Sequence, residues 1–369
     1  MTENTKNSIL IIGGGLIGLS IAYKFAKNNF KVTVLSKNRG ESAGFVAAGM
    51  LATHAEGLQN ELLKFGQQSQ KLIPKWINNI EKDSGIECGL RKCGIIVPFK
   101  NIKELEEFPT YEYGKYLNQK ELNKEIHGIN SIWEHGLVFE QDGQIDNRRR
   151  LMRALEKACS LHGVKFHEGS EVKDLRIENN KIVGAKVLIA TGELKEIDCE
   201  KSILCSGAWS KKILNKIPVF PVKGQMLSIQ GPANFLKRVL FGTTTYLVPR
   251  DDGLIVVGAT VEKDAQFNQG NTPNGISNLQ EGIRLLLPEA LNWPQMEHWW
   301  GFRPCTPDLK PIIGKSEVEN LFLATGHYRN GVLFSAITSD IIFKLIQDKT
   351  LQDIEISFLE KFSLNRFKI

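Results

Sequence analysis

Ser8-Ile9-Leu10-Ile11-Ile12-Gly13-Gly14-Gly15-Leu16-Ile17-Gly18 begins a stretch that runs on to Lys31-Val32-Thr33-Val34-Leu35. Its first five residues are a short apolar run closed by glycine, which reads as a buried strand. Beyond Gly18, the residues Leu19, Ala22, Tyr23 and Ala26 recur at helical spacing. The β-branched run at 31–35 reads as a second strand. Strand, glycine turn, helix and strand form one βαβ unit. Within it Gly13 permits the tight turn, Gly15 lets the backbone approach a pyrophosphate, and Gly18 allows close helix–strand packing. The helix N-terminus adds free N–H groups and the positive end of its dipole. The unit is therefore expected to hold a dinucleotide.

One part of that pattern is missing. A carboxylate at the end of the second strand normally accepts from the ribose hydroxyls. Here the place holds Ser36, followed by Lys37 and then Arg39. A serine is a weaker acceptor than a carboxylate. With its neighbouring cations it would suit a phosphorylated ribose, and the same residues also read as a plain surface loop.

Composition bounds the rest. A chain of 369 residues corresponds to about two domains. Its hydrophobic content of 42% and charged content of 24% are those of a globular protein. No apolar run reaches the roughly 18 residues needed to span a bilayer. The start, Met1 to Asn7, is polar and lacks a signal-peptide core. The six cysteines are scattered without metal-ligand spacing, so free thiols, no metal site and a cytoplasmic location are expected. A net charge of +6 with dispersed lysines argues against nucleic acid as a partner.

Further elements follow in order. A small, glycine-rich loop at 39–51 can lie flat against a cofactor. A helix is expected at 60–84, with Pro74 as a break. Strands are expected at 94–99 and 136–139, with a charged helical segment at 102–126 between them. Next come a helix at 148–162, a strand at 164–167, and a hairpin of 172–177 with 181–188 turning at Asn179-Asn180. A buried strand ends at Ser206-Gly207, making a second strand-to-glycine junction. Strands at 218–230, 246–249, 254–259 and 298–304, with a helix at 276–287, predict an antiparallel sheet. A last buried strand at 320–324 runs into Thr325-Gly326-His327-Tyr328-Arg329-Asn330-Gly331, and a helix follows from 332 to 346. This third junction joins the other two.

Three converging junctions exceed what a nicotinamide-binding unit requires. With Ala47-Ala48-Gly49-Met50-Leu51, Pro221-Val222-Lys223-Gly224-Gln225, Tyr246-Leu247-Val248-Pro249-Arg250, Val256-Val257-Gly258-Ala259-Thr260, Gly301-Phe302-Arg303-Pro304 and Lys310-Pro311-Ile312-Ile313-Gly314, the chain resembles the D-amino-acid oxidase superfamily over nearly its whole length. Within it, the resemblance is to the glycine oxidases of thiamine biosynthesis. This implies a Rossmann-like α/β FAD-binding domain of glutathione-reductase type (1–84, 140–215 and 305–369) and an α+β substrate domain on an antiparallel sheet (85–139 and 216–304). It implies noncovalent FAD contacting Gly13, Gly15, Leu16, Ile17, Gly18, Ser36, Lys37, Ala48, Gly49, Met50, Val172, Gly207 and the run His327, Tyr328, Arg329, Asn330, Gly331, Val332 and Leu333.

The resemblance further implies that Arg303 binds the substrate carboxylate, with Tyr246 at the mouth of the site and Arg329 near substrate and flavin. It implies oxidation of glycine, and of sarcosine or small D-amino acids, by hydride transfer to flavin N5 with O2 as acceptor. No general base is assigned. A homo-oligomer and a handover to thiazole synthase are implied, with no membrane partner. Ser36 departs from the family's glutamate, Ala43 and Gly44 from threonines that face the pyrophosphate, and Thr244 from a histidine lining the site. Two rival readings remain: a sarcosine or secondary-amine oxidase or dehydrogenase on the same fold, and a flavin module in tRNA modification.

Overall fold

The computed structural model describes residues 7–367, so the polar start at 1–6 lies outside the described residues. Strands Ser8–Ile12 and Lys31–Ser36 pair in parallel, with Leu10 opposite Thr33. The helix between them is Leu16–Ala26, beginning before Gly18 rather than after it. A Cβ at Gly18 would overlap the Gly13 carbonyl oxygen, so the glycine keeps the turn tight against the helix.

Six strands make the first sheet, in the order Ile312–Lys315, Leu321–Thr325, Lys201–Leu204, Ser8–Ile12, Lys31–Ser36 and Lys165–Glu168. All neighbours are parallel except the first pair. The strand order reverses at Ser8–Ile12, and a ligand crevice is expected at the carboxyl ends there. Alternation along that strand separates two cores. Ile9 and Ile11 pack with Phe25, Phe65, Leu155 and Phe334 of the helical layer. Leu10 and Ile12 pack with Leu175, Ala185 and Val187, which belong to a three-stranded sheet on the other face.

The second sheet has eight strands, in the order Gln295–Cys305, Phe220–Gln230, Leu254–Gly258, Tyr246–Pro249, Val239–Phe241, Ile95–Phe99, His135–Phe139 and Lys115–Asn118. It is antiparallel except between Val239–Phe241 and Ile95–Phe99. Helix Pro273–Leu286 covers it through Leu279 and Ile283.

Three local expectations are corrected. Asn60–Ser84 is one continuous helix, and Pro74 does not break it. An interior proline costs about 3 kcal/mol, but Phe65, Ile73, Ile77 and Ile80 are all buried in the helical core. Burial stabilises by roughly 1.5–3 kcal/mol for each such side chain, so tertiary packing wins. Residues 102–126 are two short helices, Ile102–Glu106 and Gln119–Glu125, separated by the edge strand Lys115–Asn118. Asn101 and Asn118 cap them through their side chains, the second with a capping box to Glu121, while Pro109 and Gly114 interrupt the helical spacing. At 148–162 the first residues form a wider turn, Asn147–Leu151, and the α-helix is Met152–Leu161.

Candidate active site

The three glycine junctions open onto one cavity of about 980 Å³, near the upper end of the roughly 300–1,000 Å³ common for ligand pockets. It follows the carboxyl ends of the parallel strands, from Ser36 past Gly13–Ile17 and Gly207 to Thr325. It then passes to Tyr246 and Arg303 on the second sheet. Every expected site residue lines it except Gly18, Asn330 and Leu333. Gly18 packs behind the turn. The Asn330 carbonyl accepts the Phe334 N–H at 2.8 Å, and the Leu333 carbonyl accepts from the buried Ser69 hydroxyl at 2.5 Å.

Backbone demands explain the glycines at the cavity. Gly13 has φ +114°, and a Cβ there would lie 2.5 Å from the Cys205 carbonyl oxygen. That contact ties the first junction to the second. Gly49 has φ +89° and its carbonyl accepts the Ile145 N–H at 2.8 Å. Next to it, Arg250 donates from Nη2 to the Ala48 carbonyl at 2.5 Å and from Nη1 to Gln144 Oε1. Burial lowers the Arg250 pKa to about 10, against the pull of nearby Asp146. This buried clamp under Ala48–Gly49 had no signal in the sequence beyond the run Tyr246–Arg250 itself.

At the far end, Arg303 is half-buried on strand Gln295–Cys305. Its Nη1 donates to the Thr260 carbonyl at 3.0 Å and the Lys223 carbonyl at 3.4 Å. A Cβ on Gly224 would lie 2.6 Å from the Arg303 Cζ, so the missing side chain is what makes room for the guanidinium. Burial pushes the Tyr246 phenol up while the adjacent Arg303 acts in the opposite direction. Phe241 stacks on the Tyr246 ring at 6.2 Å. Thr244 lies exposed at the same rim.

The two arginines are not equivalent. Arg329 donates from Nη2 and Nε to Glu56 Oε2, at 2.8 and 3.2 Å. Glu56 is nearly buried and raises the Arg329 pKa. Among the described residues, Arg303 has no carboxylate within ion-pair distance; the sequence offered no sign that Glu56 would neutralise Arg329. The cations beside Ser36 are also engaged. Arg39 binds Glu168 at 2.6 Å and Glu156 at 3.0 Å, and Lys37 binds Glu171 at 3.1 Å. Among the described residues, neither Lys37 nor Arg39 is then free for a ribose phosphate.

The model of the family described as FAD dependent oxidoreductase matches residues 8–345. This chain belongs to that family. The oxidoreductase is 37% identical over 98% of its length to the bifunctional protein ThiO/ThiG of Synechocystis sp., of which it covers 54%. The chain thus spans about half the length of the bifunctional relatives it matches. It is 28% identical to the glycine oxidase of Bacillus subtilis, with 97% of this chain and 96% of that protein covered. The crystal structure of glycine oxidase from Geobacillus kaustophilus superposes with a TM-score of 0.87, at 27% identity, covering 97% of this chain and 98% of that one.

FAD is the family's cofactor, and the cavity fits it. Ser42 Oγ, on the cavity wall, is buried without a hydrogen-bond partner among the described residues. It stands beside Gly15, the N-cap of a helix with neither a side-chain cap nor an acid in its first turn. The second helix N-terminus on the cavity, that of Gly331–Ile346, is likewise uncapped and free of acids. Open N–H groups at helix starts suit anionic groups. Ser42 supplies a hydroxyl where Ala43 and Gly44 lack one.

His327 lines the wall with its ring buried, Nε2 3.1 Å from Thr338 Oγ1. Burial lowers its pKa from 6.5 to about 3. The folded state therefore holds it neutral, while the unfolded chain takes up a proton below about 6.5. Its stabilising contribution is complete above pH 6.5 and is lost as pH falls toward 3. Thermal midpoints of wild type and His327→Gln at pH 7.5 and pH 5 should show a smaller drop in the variant. An equal drop would remove His327 from the pH response.

Proposed function

We propose that this oxidoreductase oxidises glycine to the imine, which hydrolyses to glyoxylate and ammonia, with O2 reduced to H2O2. Sarcosine and small D-amino acids are secondary substrates that give their own imines, hydrolysed to the matching oxo acid and amine or ammonia. The observation that carries the reading is Arg303: a guanidinium without a carboxylate partner among the described residues, held by two carbonyls, beside Tyr246 at the end of the cavity. The names of the relatives support the same substrate.

Bound FAD supplies a hydride acceptor. Arg303 has five donors in a planar fork, and with Nη1 committed to backbone, the donors on Nη2 and Nε remain for the substrate carboxylate. That fork fixes the α-carbon in one orientation. Tyr246 adds a hydroxyl donor at the same rim. Glu56 neutralises Arg329, leaving Arg303 as the anchoring charge. The uncapped N-terminus of Gly331–Ile346 favours negative charge in front of it. No side chain is assigned as general base.

The strand sets support a two-part division, with 1–84, 140–215 and 305–369 holding FAD and 85–139 with 216–304 holding substrate. The part of the bifunctional relatives that this chain does not cover suggests that the imine passes to a thiazole synthase. The same reading carries cytoplasmic location and a homo-oligomer.

The test is direct. Purified protein should be yellow, with one FAD per chain released to the supernatant by acid precipitation, and should form peroxide with glycine. Peroxide only with secondary amines would move the substrate to the rival class, and flavin remaining in the pellet would overturn noncovalent binding.

A further inference from the structure

The end of strand Lys31–Ser36 lacks the carboxylate that would accept from a ribose, yet the cavity there is not without one. Of the acidic residues that line the cavity, Glu41 and Glu171 follow this strand and its neighbour. Glu171 is held by Lys37 at 3.1 Å and Lys173 at 3.0 Å. Glu41 has no basic partner within ion-pair distance among the described residues. It lies half-buried on the tight turn Arg39–Glu41, directly after the strand. Asn38 sets its position: the Asn38 carbonyl accepts the Glu41 N–H at 3.3 Å, and Asn38 Nδ2 donates to Glu41 Oε1 at 3.1 Å. Asn38 Oδ1 meanwhile accepts the Gly40 N–H at 3.0 Å and caps the turn. Glu41 Oε2 has no hydrogen-bond partner among the described residues.

Arg39 does not compete for this carboxylate. Its aliphatic stem lies against Gly14, where a Cβ would come within 2.7 Å of Cγ and Cδ. Its guanidinium covers the Phe166 ring at 4.6 Å and binds Glu168 and Glu156. Arg39 is absent from the cavity lining.

We propose that Glu41 replaces the missing strand-end carboxylate and accepts hydrogen bonds from the adenosine ribose hydroxyls of FAD. The acceptor has moved five positions along the chain, from Ser36 to the turn after it. The carboxylate would also repel a 2′-phosphate, which removes the phosphorylated-ribose reading by charge. The inference concerns the cofactor and is independent of which amine is oxidised.

The experiment is titration of full-length apoprotein with FAD and with FMN, followed by flavin fluorescence quenching. FMN lacks the adenosine, so it reports the flavin end alone. Glu41→Ala should weaken FAD by about ten- to a hundredfold, the loss of charge-assisted hydrogen bonds, while FMN affinity stays at the wild-type value. Adding Ser36→Glu to Glu41→Ala should restore most of the FAD affinity, and Glu171→Ala should have little effect. Unchanged FAD affinity in Glu41→Ala would overturn the proposal. So would an equal loss for FMN, which would mark a general role in folding, or the loss appearing in Glu171→Ala instead. Tight NADPH binding by wild type would overturn it as well.

Discussion

Arg303→Ala is expected to lower kcat/KM for glycine by at least ten- to a hundredfold, while FAD content stays near wild type. The guanidinium is half-buried, has no carboxylate partner among the described residues, and is held by the carbonyls of Thr260 and Lys223. Two charge-assisted hydrogen bonds to a substrate carboxylate would be lost. Even one such bond is worth roughly 1.5–3 kcal/mol, and 1.4 kcal/mol is about tenfold in rate, so ten- to a hundredfold is the floor set by a single bond. Arg303→Lys should recover only part, because an ammonium cannot reproduce the fork. Gly224→Ala offers a second route to the same loss, since its Cβ would fall 2.6 Å from Arg303 Cζ and push the guanidinium away. The measurements are steady-state peroxide formation with glycine, sarcosine and D-alanine, and the ratio of flavin to protein absorbance. Near-normal activity in Arg303→Ala would leave the arginine as a backbone tie between strands. Lost flavin in the same variant would assign it to the fold.

The second large effect is expected at Gly13. Its φ of +114° lies in the region that favours glycine, and three backbone atoms of Cys205 and Ser206 lie within 2.9 Å of where a Cβ would stand. Gly13→Ala combines backbone strain of about 1–3 kcal/mol with overpacking of about 1–3 kcal/mol. The clash cannot be relieved by a side-chain rotation, because the neighbours are backbone. The strand ends must separate at the place where Gly13 donates to the Leu35 carbonyl at 2.9 Å and Cys205 donates to the Ile12 carbonyl at 2.8 Å. That displaces the start of helix Leu16–Ala26 from the cavity. Thermal melting should show a clearly lower midpoint, and FAD titration should show affinity reduced at least tenfold. Gly163→Ala is the control: it has φ +78° with nothing among the described residues within 4 Å of its Cβ position, so it carries strain without collision. Equal behaviour of the two variants would show that the close approach to Cys205 does not matter.

These two sites differ in how far the sequence exposed them. The Gly13–Gly15–Gly18 spacing, the alternation of Ile9 and Ile11 against Leu10 and Ile12, and the apolar runs before Gly207 and Gly326 are local patterns. Backbone geometry and the periods of helix and strand act over a few residues, so a single sequence determined the βαβ unit, the junctions that meet on the cavity and most strands of both sheets. Arg303 was singled out only by the family resemblance of its motif, whereas the absence of a carboxylate at Ser36 was legible directly. The chain itself did not disclose which charges would pair. Glu56 and Arg329 are 273 positions apart, and Lys37, Arg39, Glu168 and Glu171 meet only when parallel strands align. Gly224 has no visible reason until the Arg303 guanidinium occupies its Cβ position. Pro74 stays helical, and 102–126 divides into helix, edge strand and helix, because packing and sheet pairing outweigh local propensity. Ion pairing, burial and steric exclusion depend on distance in space, and tertiary structure alone decided them.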